Sequence, residues 1–228
     1  MSIYNIFLIG SITVLFHSIF KYFNIEKQMY EKYSIGMTRS LICGSIAFEA
    51  YNKYNYLKTD KCLDNITIYN DLREFHNMFL SYFIFDTTIL FYQVYLRIEN
   101  NIRLDLLYHH ILAITALLLI EDSKMYGLSL MIGLSEGLTF VSGPKLLSVY
   151  YNNKYLTNFF IRYRLLYIIF VRILYLWPSL IYFYYDITTN CSKYKKDQNI
   201  LMVLFMIFII IHAEISWYYS GRKELARF

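Results

Sequence analysis

The sequence has little proline, glycine and cysteine. Two prolines and eight glycines among 228 residues leave little room for long ordered loops or flexible linkers, which depend on these two residue types. The three cysteines, Cys43, Cys62 and Cys191, match no zinc or redox spacing. We therefore expect neither a structural zinc site nor a redox motif.

Charged residues are also scarce, at 17% of the chain against about 25% in soluble domains. Hydrophobic residues make up 57% and the mean hydropathy is positive, a balance that indicates a membrane protein. The net charge of +5 is spread along the chain rather than gathered into a stripe, so we expect no nucleic-acid binding. No shift in composition divides the chain, which favours a single domain.

Most of the sequence consists of long apolar runs. A bilayer core of about 30 Å needs about 20 apolar residues in a helix. The first run lacks the basic start and cleavage site of a signal peptide, so we interpret it as a retained span. Short connections between runs force antiparallel neighbours, which predicts an all-α membrane protein, an up-and-down bundle of about seven transmembrane helices. The runs are Ile3–Phe20, Tyr33–Tyr51 (interrupted by Arg39 and Glu49), Asn77–Leu96, Leu104–Ile120, Lys124–Tyr151, Leu156–Asp186 and Asn199–Ser220.

The sixth run is longer than a span needs, so we expect it to tilt, to kink near Pro178 or to project beyond the membrane. Lys and Arg are divided almost evenly between the two sides of the bundle and do not orient it. The tripeptides that start at Asn65 and Asn190 match the N-glycosylation pattern, and both fall in loops of one side. We therefore predict that this side and the N-terminus are lumenal and that the C-terminal tail is cytosolic. Cys62 and Cys191 share the lumenal side, so a disulfide between them is the alternative to free thiols.

A pair of histidines, His109 and His110, lies inside the fourth apolar run. Ionisable groups in a bilayer cost several kcal/mol unless they face a bundle interior or a wet cavity, so the pair predicts a functional site. Asp105 lies four residues before His109 and can orient its imidazole. His110 is turned by about 100° on the helix, so we expect one ring to face a cavity and the other to bond a neighbouring helix. The alternative is that all three residues only hold helices together.

Three more charged residues lie deep in other runs: Asp86, Glu136 and Arg172. We expect Arg172 to be the counter-ion of Asp86 or Glu136, because an unpaired charge at this depth is costly. His212 and Glu214 lie near the polar end of the last run, and we interpret them as interfacial. Adjacent histidines do not have the i,i+4 spacing that places two imidazoles on one metal, so we expect no metal site.

Several of these segments together resemble the TLC domain, which is shared by ceramide synthases, translocating-chain-associating proteins and small TLC-domain lipid-homeostasis proteins. The resemblance extends from about Arg39 to Arg222. It rests on Met37–Ser40, the helix of Asp86, Asp105–Ala113, Leu134–Phe140 and Tyr167–Leu174, in that order. The Ser135-Glu136-x-x-Thr139 pattern is more similar to the small lipid-homeostasis branch than to the synthases.

The resemblance implies a barrel of six helices around a lipid-accessible cavity, with one extra helix before it. Residues 1–32 would then be an N-terminal transmembrane helix and loop, residues 33–222 the TLC-like domain, and residues 223–228 a short cytosolic tail. The implied function is lipid binding that influences membrane lipid composition. The implied location is the endoplasmic reticulum or a related endomembrane, with membrane lipids and a second copy of the chain as candidate partners.

The synthase branch implies a different activity, transfer of an acyl group from acyl-CoA to a long-chain amine. His109 or His110 would then be the nucleophile or general base, and Asp86 or Asp105 the orienting acid. Glu136 and Arg172 would belong to a charge network in the lipid cavity. Acyl-CoA would be a co-substrate, with no bound cofactor. The third family branch implies a non-enzymatic scaffold or a translocon-associated protein.

Overall fold

The computed structural model describes residues 3–23, 27–95, 104–197, 208, 212 and 214–226. These residues contain no strand and form seven helical rods. The first four rods are α1 (Ile3–Tyr22), α2 (Lys27–Thr59), α3 (Ile66–Tyr95) and α4 (Leu104–Ser123). The fifth rod joins α5 (Gly127–Ser135), a 3₁₀ segment (Glu136–Val141) and α6 (Ser142–Tyr150). The sixth joins α7 (Lys154–Leu166), a π-helical segment (Tyr167–Leu176) and α8 (Trp177–Asn190), and α9 (Ile215–Leu225) lies in the seventh.

The predicted all-helical fold is therefore confirmed for the part of the chain that the structure describes. Within that part, two helices are long and apolar enough to cross a membrane, Leu106–Ser123 and Lys154–Asn190. Leu8–Tyr22 is apolar but shorter. Membrane crossing by the other rods stays a prediction.

An aromatic stripe on α3 forms the centre of the hydrophobic core. Phe75, Phe79 and Phe83 are spaced four residues apart, so they lie on one face of the helix, and each is almost fully buried. They belong to the same core as Leu117 of α4 and Met131 of α5. This stripe fixes α3 between its neighbours and leads directly to Asp86, one turn beyond Phe83.

A close approach between α2 and the fifth rod depends on Gly143. A Cβ atom on Gly143 would lie 2.9 Å from the backbone oxygen of Gly36, closer than real Cβ contacts allow. The backbone N–H of Gly143 donates to Ser40 Oγ at 2.6 Å, and Ser40 Oγ donates to the carbonyl of Thr139 at 3.2 Å. Ser40 thus holds the fifth rod where its 3₁₀ segment passes into α6.

The π-helical segment of the sixth rod ends at Leu176, two residues before Pro178. Proline has no backbone N–H, and in an α-helix its ring meets the carbonyl four residues earlier, here that of Leu174. A π-helical turn is wider than an α-helical turn, which accommodates the ring without ending the rod. The irregularity expected near Pro178 therefore takes the form of this segment.

A disulfide joins Cys62, after α2, to Cys191, after α8, with a Cα–Cα distance of 5.5 Å. Of the two alternatives for these cysteines, free thiols and a disulfide, the disulfide is therefore the one that the structure has. The residues are 129 positions apart, and only the fold brings the two loops together. Lys193 Nζ also reaches across, 2.7 Å from the carbonyl oxygen of Leu63, and Lys61 Nζ lies 2.8 Å from Asp186 Oδ2.

Candidate functional site

A cavity of about 480 Å³ opens between the helices and is lined by four of the predicted site residues, His109, His110, Asp86 and Glu136. The lining comes from α2, α3, α4, the 3₁₀ segment, α6, α7 and α9. Residues distant in sequence thus meet around one space, and ionisable side chains supply much of its wall.

Asp86 is held at the centre of this wall by two neighbouring side chains. Its Oδ1 lies 2.5 Å from Arg39 Nε, and its Oδ2 lies 3.3 Å from His110 Nε2. Tyr82, one turn earlier on α3, donates to Oδ2 at 3.5 Å. The carboxylate and the imidazole are each less than 5% exposed. An ion pair with Arg39 explains how a carboxylate is tolerated in the middle of an apolar helix.

Both ring nitrogens of His110 are engaged. Nε2 faces Asp86, and Nδ1 lies 3.2 Å from Thr87 Oγ1. Thr87 Oγ1 also donates its single proton to the carbonyl of Phe83 at 2.7 Å, so this hydroxyl connects His110 to the backbone of α3. His110 is therefore a positioned residue that joins α4 to α3, the role expected for one ring of the pair.

His109 is the ring that faces the cavity. It is partly exposed, and no hydrogen bond from a described residue reaches its nitrogens. Its ring packs edge-on against Trp217 at a centroid distance of 4.7 Å and lies 5.7 Å from the ring of Phe83. The side chain of Asp105 lies outside the described residues, so its pairing with His109 stays a prediction. His109 can therefore accept or donate a proton to a molecule in the cavity.

Glu136 lines the same cavity and is buried. Its Oε2 lies 3.6 Å from Cys43 Sγ, which lies 3.1 Å from the hydroxyl of Tyr82. A chain of polar contacts therefore connects the two buried acids through Cys43 and Tyr82. Glu136 is the first residue of the 3₁₀ segment.

Arg172 was predicted to pair with Asp86 or Glu136; its direct contact is with Glu214, and its charge also acts on Glu136. Arg172 Nε lies 2.8 Å from Glu214 Oε1, and both side chains are at most 3% exposed. The N–H is not aimed at the oxygen, so the contact is an ion pair rather than a hydrogen bond. Trp177 Nε1 donates to the same Glu214 oxygen at 3.1 Å. The interfacial interpretation of Glu214 was wrong, because distance along a helix does not reveal which face turns inward.

Trp217 lies between this ion pair and His109. The guanidinium carbon of Arg172 is 4.9 Å from the centre of the Trp217 ring, within the range of a cation–π contact. The same indole contacts His109. The Arg172–Glu214 pair thus supports the side chain that positions the open imidazole.

The mouth of the cavity carries charges that the sequence analysis did not single out. Lys145 Nζ lies 2.7 Å from Glu224 Oε1, and Arg164 Nη1 lies 3.9 Å from Glu224 Oε2. Lys223, the residue before Glu224, is exposed and also lines the cavity. These residues come from α6, α7 and α9, and the packing of α6 and α9 on α7 brings them together.

Metal binding finds no support in the part of the chain that is described. It contains no group of three or more His, Cys, Asp or Glu side chains that could hold a metal ion. His109 and His110 point in different directions, and His110 is fully used by Asp86 and Thr87.

The two candidate glycosylation residues lie at the other end of the bundle from the mouth. Asn65 is exposed, and its Oδ1 accepts from the backbone N–H of Thr67 at 2.9 Å at the start of α3. Asn190 is exposed at the end of α8. Arg39, in the cavity wall, precedes the end of α2 by 20 residues, about 30 Å along the helix. The disulfide end and the cavity therefore lie far apart.

Compared with known proteins, the chain matches no family model, no curated protein and no solved structure. The resemblance to the TLC domain therefore stays a prediction, and the function is argued from the site alone.

Proposed function

We propose that this chain is a multi-pass membrane protein of the endoplasmic reticulum or a related endomembrane that binds lipid and influences membrane lipid composition. The observation that carries the proposal is the cavity of about 480 Å³ with His109, Asp86 and Glu136 in its wall. Such a wall is costly within a bilayer unless it surrounds water or a polar group. A lipid supplies both a polar group and apolar chains.

The outer surface of the two apolar helices supports a membrane location. Ile111 and Leu118 of α4 are exposed, as are Phe170 and Leu174 of the sixth rod. Apolar side chains concentrated on one surface are unfavourable in water and favourable against lipid. These two helices thus have an apolar outer surface, whereas the cavity within the bundle has a polar wall.

Lipid analysis of cells that express the chain tests this proposal. We expect the composition of membrane lipids to change on expression of the wild type and to change less with His109→Ala, since His109 is the open polar group of the cavity. Thr115→Ala is the matched control, because Thr115 lies on the same helix but is exposed. A profile identical to that of cells without the protein would contradict the proposal. An effect of equal size in His109→Ala would favour a scaffold role.

A second candidate function, acyl transfer to a long-chain amine, is favoured by the geometry of the histidine pair. The amine nitrogen would attack the carbonyl carbon of an acyl-CoA thioester while His109 accepts the amine proton. The C–S bond would then break, and the thiolate would leave with that proton, giving an amide and free coenzyme A. His110, held by Asp86, would position the helix and the ring beside it. Such proton transfer contributes about 10²–10⁴-fold to a rate.

Purified protein tests the second candidate directly. We expect N-acyl product from acyl-CoA and a long-chain amine, a loss of at least about 100-fold in His109→Ala, and full activity in Thr115→Ala. Equal activity in wild type and His109→Ala would contradict the mechanism. Absence of product with folded wild type would contradict acyl transfer and leave lipid binding as the function.

A further inference from the structure

A second cavity of about 420 Å³ lies between the last turns of α2 and the first half of α8. Among the described residues, it shares none of its lining with the cavity of His109. Lys58, in its wall, follows Arg39 by 19 residues on α2, about 28 Å along the helix. This second cavity, which we call the α2–α8 groove, is therefore a separate feature at the disulfide end of the bundle.

The inner wall of the α2–α8 groove is apolar. Leu57 and Met131 are buried there, and Phe183 is half-buried beside them. A Cβ atom on Gly127 would lie 2.8 Å from Leu57 Cδ2 and 3.1 Å from Phe183 Cε1, so the absence of a side chain at Gly127 allows both residues to pack against α5. The volume of the groove is near the lower end of the range of small-molecule sites, about 300–1,000 Å³. This size suits one hydrocarbon chain rather than two.

The rim of the groove is polar, and two of its groups are without partners in the part of the chain that the structure describes. Lys58 Nζ lies 5.8 Å from the centre of the Tyr54 ring, and no described carboxylate lies within 4.0 Å of it. The hydroxyl of Ser179 lines the groove and makes no hydrogen bond with a described residue. By contrast, Thr188 and Thr189 further along α8 donate to carbonyls of their own helix. A cation beside an unbonded hydroxyl favours an anion that accepts hydrogen bonds.

The polar and apolar parts of the groove follow the layers of a bilayer. The 37 residues of the apolar helix Lys154–Asn190 measure about 55 Å, which exceeds the hydrocarbon core of about 30 Å. In a rod centred on the bilayer, about 12 Å therefore projects at each end. Ser179 lies 11 residues before the end of this helix, about 16 Å along it, just inside the hydrocarbon boundary. Lys58 lies one residue before the end of α2, and its flexible stem reaches the level of the headgroups.

We propose that the α2–α8 groove binds a long-chain fatty acid, with its carboxylate on Lys58 and Ser179 and its hydrocarbon chain along the apolar inner wall. The single negative charge of a carboxylate matches the one cation among the described lining residues, whereas a phosphomonoester carries about −1.5 to −2 charges. The groove uses none of the cavity residues, so this inference shares only the membrane location with the proposed function. The protein would then have a lipid site at each end of the bundle.

The full chain in neutral detergent, analysed by native mass spectrometry, tests the groove. Oleate and methyl oleate are titrated in parallel, because they differ only in the methylation of the carboxyl group. We expect tighter binding of oleate and a loss of about fivefold in its affinity in Lys58→Gln and in Ser179→Ala, since each variant removes one contact of the carboxylate. Methyl oleate should bind Lys58→Gln and the wild type alike. Lys124→Gln is the matched control, an exposed lysine at the same end of the bundle and outside the groove.

The remaining outcomes would overturn the site in different ways. Absence of oleate binding, equal affinity for the two ligands, or an oleate preference retained in folded Lys58→Gln would contradict the fatty acid. A loss of oleate affinity in His109→Ala but not in Lys58→Gln would place the ligand in the other cavity. Tighter, Lys58-dependent binding of phosphatidylglycerol would show that the occupant is a two-chain anionic lipid. None of these results changes the outcome expected for His109→Ala in the lipid analysis of cells, so the groove and the proposed function can fail separately.

Discussion

At the scale of single residues, Trp217 couples two parts of the molecule that would otherwise be separate. Its indole contacts Arg172 on one side and His109 on the other. The buried pair of Arg172 with Glu214 therefore determines both the stability of the bundle and the position of the open imidazole.

Arg172→Leu should lower the free energy of unfolding by about 3–5 kcal/mol, because it strands the buried Glu214 carboxylate. Thermal unfolding in detergent measures the effect. Adding Glu214→Leu should recover more of the loss than adding Glu136→Leu, because Glu214 contacts Arg172 directly and Glu136 lies only within the electrostatic range of Arg172. Arg162→Leu, which removes an exposed arginine of the same rod, should change little. Recovery by Glu136→Leu alone would contradict the pairing.

The residues of the cavity were largely predictable, and their partners were not. An ionisable residue in an apolar run is costly unless it has a partner or faces a cavity. This cost singles out His109, His110, Asp86 and Glu136 in the sequence. The partner of each charged residue depends on how the helices are rotated and packed, and the pattern of apolar runs does not reveal either. Arg39 thus looked like an interruption of a weak span, although it pairs with Asp86.

At the scale of elements, the predicted runs located the rods but not their ends. The second run was predicted as Tyr33–Tyr51, whereas α2 extends over Lys27–Thr59. Apolarity indicates only the part of a helix that faces other apolar groups, and polar turns can continue the same helix at both ends. The 3₁₀ and π-helical segments were also missed, because they arise where packing and Pro178 interrupt regular winding.

Gly143→Ala should destabilise the contact between α2 and the fifth rod. The added Cβ would meet backbone atoms, which cannot move as a flexible side chain can, and overpacking of this kind costs about 1–3 kcal/mol. Gly10→Ala is the control, because a Cβ there meets no atom within 4 Å and alanine favours a helix over glycine. Thermal unfolding of the two variants should therefore shift in opposite directions. Equal shifts would contradict the close approach.

At the scale of the whole molecule, the two ends of the bundle differ in chemistry. One end carries the disulfide and both exposed glycosylation candidates, and the other carries the mouth of the cavity with its charged side chains. Disulfides persist in oxidising compartments, so the bond agrees with the side predicted as lumenal from the tripeptides alone.

In sealed microsomes we expect a protease added outside to remove a tag placed after Phe228. We expect a glycosidase to shift the electrophoretic mobility of the wild type but not of the Asn65→Gln/Asn190→Gln variant. Reduction of the Cys62–Cys191 bond should change mobility only after detergent opens the vesicles to an impermeant reductant. A protected tag together with an accessible disulfide would show the opposite orientation.

The separation of the two bonded cysteines along the chain also determines the earliest time at which the disulfide can form during synthesis. At about 5–20 residues per second, a ribosome adds the 129 residues between Cys62 and Cys191 in roughly 6–26 s. Throughout this interval Cys62 is a thiol on a nascent chain that has no partner yet. Its oxidation to the native bond must wait until the sixth rod has been made, so the appearance of that bond in a pulse-labelled chain would date the moment at which the loop after α2 first meets the loop after α8.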